Sequence, residues 1–510
     1  MADESRWNAG GRATLIATLT APPGPELAAE TAGADWLELR ADLAGDLDPD
    51  PLARLFPGRL LYTLRSRAEG GAFEGRDERR RRRLLAAAGR FDLVDLEAAR
   101  DLAPELLAAI PPERRVISWH GAAADPAGLA DCFGRMAAVP AALYKLVPAA
   151  VQPGDGLAPL QLLAELGRRD VAAFAQGTEG VWTRLLAPRL GAPVVFGAAG
   201  ARPGAPGQPS VRTLLADYGL PELGPVERLF GIAGNPVAHS LSPRLHNGAY
   251  RALGVAALYL PFQTESFGDF WLEVVESGVL EALGMPLAGL SVTTPFKEAA
   301  LAVAGAESPL AGHIGAANTL ICNQGVWEAE STDPDGVLVP LARLGAAIAG
   351  RRALVLGAGG GGRAAAVGLA HAGASVTLSS RGRERGQAAS KLGLPFVAAA
   401  DLDPAGFDLL VNATPLGRGP GDPLPFSRED LARLPAGAVV VDLVYGDEPT
   451  PLARAAGAAG VRCVEGREVL LGQALAQFRL MTGRELPVAL GRRLLGLPAA
   501  DPASAGGEAG

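Results

Sequence analysis

The sequence predicts an α/β protein of more than one domain, and three observations carry that prediction. Eight short apolar runs alternate with Ala/Leu/Arg-rich helical stretches across the first 220 residues, the pattern of a (β/α)8 TIM barrel. A second α/β series follows from Arg228, with a glycine run directly after a short apolar strand, as in a Rossmann-type dinucleotide fold. At 510 residues the chain is also too long for a single core.

The eight runs are Ala13–Leu19, Trp36–Leu39, Leu60–Leu64, Phe91–Leu96, Arg115–Trp119, Ala142–Val147, Val171–Ala175 and Pro193–Phe196, which place a barrel over residues 12–220. Glu38, Arg40, Arg65, His120 and Lys145 fall at the C-terminal ends of these runs, where barrel enzymes collect their chemistry. Arg79 to Arg83 is a run of five arginines, read here as a solvated helix face. The barrel pattern stops in a Gly/Pro cluster at residues 218–225, which reads as a linker.

In the second series, residues 228–336 read as a substrate-binding domain completed by 468–497, with a nucleotide domain over 337–467 between the two pieces. The Ala/Gly/Pro/Ser-rich stretch 498–510 reads as a disordered tail. Ala353–Leu356 is a buried parallel strand that runs into Gly357-x-Gly359-x-x-Gly362, and Ala364–Ala372 is helical. That order gives a tight turn, close approach of backbone to a pyrophosphate, and a helix N-terminus facing it. Gly357, Gly359, Gly360, Gly362 and Arg363 are the expected contacts. The next strand, Ala374–Leu378, ends in Ser379-Ser380-Arg381-Gly-Arg383-Glu-Arg385, with no acid at the strand end for a ribose hydroxyl. Ser380, Arg381 and Arg385 suit a 2′-phosphate instead, so NADP is expected; arginines that merely open a surface helix are the alternative.

Composition narrows the partners. The net charge of −8, with basic residues spread along the chain, points away from nucleic acid. No apolar stretch reaches the roughly 20 residues that span a bilayer. Cys132, Cys322 and Cys463 are far apart, which fits a reducing compartment and no structural metal. The first eleven residues are polar and carry no signal-peptide core, so a cytoplasmic monomer or homodimer is expected.

Three motifs follow the barrel. Gly234 to Asn247 sets Ser240 and Ser242 at i, i+2 before a proline-started helix, so their hydroxyls either bond a carboxylate or cap the helix. Gly289 to Lys297 places Thr293 and Lys297 just after a strand, and Asn318 and Asp333 come next. Hydride transfer from a carbinol needs a proton acceptor, which a Lys–Asp pair can provide. Together these motifs resemble the shikimate dehydrogenase family. The resemblance implies that Ser240 and Ser242 hold the shikimate carboxylate, that Lys297 and Asp333 are catalytic, and that Thr293 and Asn318 contact substrate. Asp442 to Gly446 matches a later signature and brings in Tyr445; Gly466 to Gln473 matches the return segment whose Gln473 contacts substrate. Asn412 to Gly417, with Thr414, resembles the nicotinamide-side loop, and Gly466 is assigned to the cofactor. Two departures stand out: Ser331 precedes Thr332-Asp333 where the family has Asn, and Ser380-Arg381-Gly382 replaces Asn-Arg-Thr.

In the barrel, Lys145 lies in the apolar run Leu143–Val147, where desolvation would free its amine as a nucleophile; a phosphate ligand or ion-pair partner is the alternative. His120 in Ile117–Gly121 is either a general base or a core histidine. With Asp35–Asp42, Thr63–Arg65, Glu69–Gly71, Arg184 and Ala205–Gln208, these residues resemble type I 3-dehydroquinate dehydratase. That family implies a Schiff base on Lys145, acid/base work by His120 oriented by Glu69, and a carboxylate grip by Arg184. Glu38, Arg40, Arg65 and Gln208 would line the same pocket. Thr183, Gln176–Glu179 and Gly204 depart from the family pattern. The two resemblances together imply consecutive steps, 3-dehydroquinate to 3-dehydroshikimate to shikimate, in the order of plant dehydratase–dehydrogenase fusions. An NAD-dependent quinate dehydrogenase with an impaired barrel, and a non-catalytic metabolite sensor, are the competing readings.

Overall fold

The computed structural model describes Trp7 and residues 12–382, 386–419, 421–446 and 448–499. Arg385 and most of the C-terminal stretch 498–510 lie outside the described residues. The chain divides into two compact units. One holds the chain up to Leu229 together with Ala256–Leu287, and the other holds Phe230–Val255 together with the chain from Ala288 on.

The first unit is built on eight parallel strands: β1 (Thr14–Leu19), β2 (Trp36–Arg40), β3 (Arg59–Thr63), β4 (Leu93–Glu97), β5 (Arg115–Gly121), β6 (Leu143–Pro148), β7 (Val171–Ala173) and β8 (Val194–Ala198). Their order is β7-β6-β5-β4-β3-β2-β1-β8, so β8 returns beside β1 and the sheet curls into a nearly closed barrel. All eight strands fall on the predicted runs. Each is rich in Val, Ile, Leu and Ala and buried on both faces, as parallel strands covered by helices must be. Register then aligns the polar strand ends: Thr18 lies beside Glu38, and Glu97, Ser118 and Lys145 share one level. His120 sits one pleat above Ser118 on the same face of β5.

The arginine run is not wholly solvated. It lies on the helix Asp77–Ala88, and Arg80 faces inward, only 1% exposed. Its guanidinium donates two hydrogen bonds to Asp101, at 2.7 and 2.6 Å, and lies 3.2 Å from Glu97. A buried charge survives only when paired, and those carboxylates pair it. The first unit also contains β10 (Ala257–Gln263) and the helical residues 267–275.

In the second unit, β9 (Arg228–Gly234) neighbours β11 (Leu287–Val292), which runs antiparallel to β13 (Thr319–Asn323). A hairpin joins β13 to β14 (Val326–Glu330), and β12 (Ala306–Glu307) pairs with β14. A separate parallel sheet contains β15 (Arg352–Leu356), β16 (Ser375–Ser380), β17 (Phe396–Ala398), β18 (Leu409–Asn412), β19 (Val439–Asp442) and β20 (Arg462–Val464). Its order, β17-β16-β15-β18-β19-β20, reverses direction between β15 and β18, and the crevice outside that point is where such sheets bind ligands. The long helix Gly466–Thr482 crosses the helix Asp333–Arg343 at close range. A Cβ on Gly472 would meet the Asp335 carbonyl at 2.6 Å, and one on Gly336 would meet Gln473 Cγ at 2.7 Å. Glycine at both positions therefore lets Gln473 reach the start of the Asp333 helix.

Candidate active sites

In the barrel, one open cavity is lined by Glu38, Arg40, Arg65, Glu69, His120, Lys145, Arg184 and Gln208. All eight were read from sequence, and the fold brings them together. Lys145 projects from β6, only 7% exposed, with Nζ 4.1 Å from the centre of the Phe196 ring. Burial pushes its pKa down from 10.5 to about 8, with Glu38 opposing the fall and Arg65 assisting it. An amine that titrates near neutrality is available as a nucleophile.

His120 Nδ1 lies 3.0 Å from Glu69 Oε2, which also accepts the His120 backbone N–H at 3.1 Å and Arg65 Nη1 at 3.0 Å. Two donors already fill that oxygen's neighbourhood, so the arrangement assigns the proton to Nδ1 and leaves Nε2 as a free base. Burial, reinforced by Arg65 and Lys145, holds the imidazole pKa well below its ordinary value, so it is neutral at pH 7. Burial pushes Glu69 up to about 8 against the pull of Arg65.

The remaining polar groups form a scaffold. Arg65 is committed to Asp95 at 2.9 Å, to Ser118 at 2.8 Å and to Glu69. Glu38 accepts the hydroxyls of Thr18 and Thr63, each at 2.8 Å. Arg40 is held bidentately by Asp42, at 2.9 and 2.8 Å, and donates to the Gly204 carbonyl at 2.6 Å. Arg184 differs from the other two arginines. It stacks 4.3 Å over Phe174, and its buried Nε has no hydrogen-bond partner among the described residues. Burial lowers its pKa to about 10. A buried guanidinium with donors to spare is suited to an incoming carboxylate.

The second unit assembles the other site. Lys297 Nζ donates to Asp333 Oδ2 at 2.5 Å. The other oxygen, Oδ1, accepts Asn318 Nδ2 at 3.0 Å and Gln473 Nε2 at 2.9 Å. Asp333 is 4% exposed and opens the helix Asp333–Arg343, whose N-terminal dipole also favours its charge. Ser240 Oγ accepts the Ser242 N–H at 3.2 Å and is hydrogen-bonded to the half-buried Tyr445, whose phenol also contacts the Leu241 backbone. The helix Ser242–Leu253 takes Leu241 as its N-cap, with no side-chain cap from that residue, and Ser240 holds the first helical N–H, that of Ser242. Thr293 follows β11 and packs on Gly234, where a Cβ would come within 2.3 Å of Thr293 Cγ2.

The glycine turn lies beside this site. Gly357 has φ +114, a conformation side chains avoid, and a Cβ there would meet the Ala413 carbonyl at 2.8 Å. A Cβ on Gly362 would sit 1.8 Å from the Gly357 carbonyl oxygen. Gly359 caps the helix Gly360–His371 and has open space where its Cβ would be, as a cradle for a pyrophosphate requires. Gly360 and Gly361 back onto Lys297, with a Gly361 Cβ position 3.5 Å from Nζ, so the glycine turn and the Lys297 amine share one locus. At the ribose end Ser380 Oγ donates to the Gly382 carbonyl at 3.1 Å and Arg381 is exposed. Thr414 donates to Asn412 Oδ1 at 2.7 Å, on the loop after β18.

Two positions have other occupations. Arg363 donates to the carbonyl of Ile314 at 3.0 Å and of Gly315 at 3.1 Å, and to Glu298 at 2.8 Å, which ties the nucleotide helix to the Lys297 helix. Gly466 is a glycine because a Cβ would meet the Val444 carbonyl at 2.2 Å. Among the described residues no cluster of His, Cys, Asp and Glu could hold a metal, and no helix is long and apolar enough to cross a membrane.

Known proteins similar to this chain cover both halves of it. Residues 26–223 match type I 3-dehydroquinase, 232–320 match the shikimate dehydrogenase substrate binding domain, and 466–495 match the shikimate 5'-dehydrogenase C-terminal domain. The bifunctional 3-dehydroquinate dehydratase/shikimate dehydrogenase, chloroplastic, of Arabidopsis thaliana is 30% identical over 493 residues, covering 89% of this chain and 79% of its own. The chain belongs to that bifunctional family. The shikimate dehydrogenase (NADP(+)) of Moorella thermoacetica is 40% identical over 296 residues, which is 55% of this chain and 96% of that one. A solved structure of the Thermus thermophilus shikimate 5-dehydrogenase, in complex with NADP(H) and shikimate, shares 34% identity over 52% of this chain and 98% of its own, with a TM-score of 0.47.

The family departures are absorbed locally. Asp333 is oriented by Lys297, Asn318 and Gln473 without help from Ser331, whose buried hydroxyl has no partner among the described residues. Thr183 Oγ1 accepts the Ala175 N–H at 2.9 Å and donates to the Gly180 carbonyl at 2.7 Å. Gly204 acts through its backbone, donating to Gln208 Oε1 at 2.8 Å while its carbonyl holds Arg40. Sequence reasoning placed Thr63 and Ser118 in motifs without a role, and missed Thr18 and Asp95 in the barrel and Gln477, which bonds Ser291 and Thr319 in the other unit. The strand-end rule that selected Glu38 applies equally to Thr18 and Asp95.

Proposed function

We propose that the barrel dehydrates 3-dehydroquinate to 3-dehydroshikimate through a Schiff base on Lys145, and that the second unit reduces that product to shikimate with NADPH. The observation that carries the first half is Lys145, brought to a pKa of about 8 by burial, facing a neutral His120 across one cavity. Its amine adds to the substrate ketone and water leaves, and the imine then acidifies the adjacent carbon. His120 Nε2 removes that proton, with Glu69 fixing the ring, and returns it to the hydroxyl on the next carbon, which leaves as water as the double bond forms; a second water then hydrolyses the imine and frees Lys145. Arg184 takes the substrate carboxylate.

For the second half, NADPH supplies the hydride when bound. Gly357, Gly359 and Gly362 give the space and the backbone donors that its pyrophosphate needs, and Arg381 suits its 2′-phosphate. Ser240, Ser242 and Tyr445 hold the substrate carboxylate at one end of the pocket. Lys297, backed by Asp333, delivers the proton to the oxygen being reduced. We assign the barrel to 12–220, the substrate domain to 228–336 with 468–497, and the nucleotide domain to 337–467. The free state of Cys132, Cys322 and Cys463 supports a cytoplasmic location.

Borohydride reduction in the presence of 3-dehydroquinate tests the first reaction, and NADPH oxidation with 3-dehydroshikimate tests the second. Covalent label on Lys145 and NADPH-dependent turnover are expected. No label, or no oxidation, rejects the corresponding half.

A further inference from the structure

We infer that the segment Ala256–Leu287, which the sequence places inside the dehydrogenase half, is a working part of the dehydratase: it clamps the loops after β6 and β7 and so positions Arg184 and Gln176. The inference rests on the dehydratase reading above.

The segment packs with the barrel in one compact unit. Three contacts fix it there. Glu179 Oε1 accepts the Glu265 backbone N–H at 3.0 Å. In the opposite sense, Glu273 Oε2 accepts the Gly154 backbone N–H at 2.9 Å. Between them the Trp182 ring lies 5.3 Å from Phe262, which continues into a buried aromatic cluster with Phe270 and Phe267. Each partner gives a carboxylate to the other's backbone around an apolar centre.

What these contacts hold gives them their significance. Gly154 lies in the loop that follows β6, the strand of Lys145. Glu179 lies in the loop that follows β7, three residues after Gln176, which lines the cavity. Trp182 is on the helix Val181–Leu186, two residues from Arg184, and is only 1% exposed. The helix is short, and six residues do not hold a fixed orientation by backbone hydrogen bonding alone. Packing must supply it. On one side Arg184 rests on Phe174, and on the other Trp182 rests on Phe262. The loop itself has little freedom to drift independently: Gly177 has φ +97, and a Cβ on Gly180 would press on Ala175 at 2.7 Å. A loosened clamp therefore moves the helix and its guanidinium together.

The test uses the full chain and measures both activities on the same preparation. Phe262→Leu removes the aromatic contact, Glu179→Gln weakens the loop anchor with little change in volume, and Glu179→Ala removes it. None of these residues touches substrate or cofactor in either site. Misplacing a binding group by about 1 Å can cost up to roughly 100-fold, so a partial loosening should raise the dehydratase KM for 3-dehydroquinate by about 5- to 20-fold, with kcat changed less than about 3-fold. Dehydrogenase kcat/KM with 3-dehydroshikimate should stay within about 2-fold of wild type. An unchanged dehydratase KM in all three variants overturns the inference, and so does a parallel fall of both activities in Glu179→Gln, the mildest of them. Wild-type turnover of 3-dehydroquinate separates this test from the functional reading: if it is absent the reading fails, and if present the variants test the clamp alone.

Discussion

Replacing Lys145 with Met should stabilise the first unit while abolishing dehydration, because the ammonium is held at a site that disfavours charge. The side chain is 7% exposed, and its pKa falls from 10.5 to about 8. That fall corresponds to about 3 kcal/mol of destabilisation by the protonated form. Met has nearly the same volume and no charge to desolvate, but it forfeits the cation–π contact with Phe196, about 1 kcal/mol. The net expectation is a gain of about 2 kcal/mol at pH 6.5, or roughly 4–8 °C in Tm for a unit of this size. The sign follows from linkage. Below about pH 8 both folded and unfolded lysine are protonated, so wild type bears the whole penalty. Between pH 8 and 10.5 the unfolded chain binds more protons than the folded one, so wild-type stability rises relative to the variant until the electrostatic part of the gap closes. Thermal or urea unfolding of both proteins at pH 6.5 and pH 10.5 measures this as a difference of differences, which cancels the titrating groups that do not interact with Lys145. A variant no more stable than wild type at pH 6.5, or a gap that stays constant with pH, would refute the argument that burial tunes this amine.

The other predictions concern the second unit. Asp333→Asn keeps an acceptor for Asn318 and Gln473 but turns an amide donor toward the Lys297 ammonium. Dehydrogenase kcat should fall about 10²- to 10⁴-fold, the range for a lost proton-transfer group, while substrate binding measured by calorimetry changes little; a kcat within about 3-fold of wild type would exclude the proton role. Gly362→Ala puts a methyl group 1.8 Å from the Gly357 oxygen, so NADPH binding followed by fluorescence should weaken at least about tenfold with dehydratase activity intact. Arg381→Ala should lower kcat/KM for NADPH by about 10- to 100-fold and leave NADH nearly unaffected. Equal losses for both cofactors would remove Arg381 from the 2′-phosphate.

The barrel was legible because parallel strands buried on both faces read as apolar runs, and because chemistry at strand ends interrupts those runs with charge. Lys145 and His120 declare themselves that way. Arg80 does not. Within five arginines, sequence offers no sign of which one faces Asp101 and Glu97, since helical phase is visible only when the buried face is apolar. The second site was legible in pieces. Lys297 and Asp333 are 36 residues apart, and nothing local says that they touch. The pair forms because β11 and β14 end on the same side of one sheet, and because Gly336 and Gly472 let a helix from far downstream bring Gln473 to the carboxylate. Motif resemblance named these residues, whereas the partners Thr18, Asp95 and Gln477 carry no motif and emerge only from register and packing. The packing of Ala256–Leu287 with the barrel was invisible for the same reason: Glu179, Glu265 and Phe262 are ordinary residues until the fold brings them together.

The central claim is that one chain performs two consecutive steps at two separate lysines, and Lys145→Ala tests it most directly. With NADPH present, this variant should oxidise no cofactor when given 3-dehydroquinate, yet match wild type when given 3-dehydroshikimate. NADPH oxidation from 3-dehydroquinate at the wild-type rate, or a variant inactive on 3-dehydroshikimate, would contradict it.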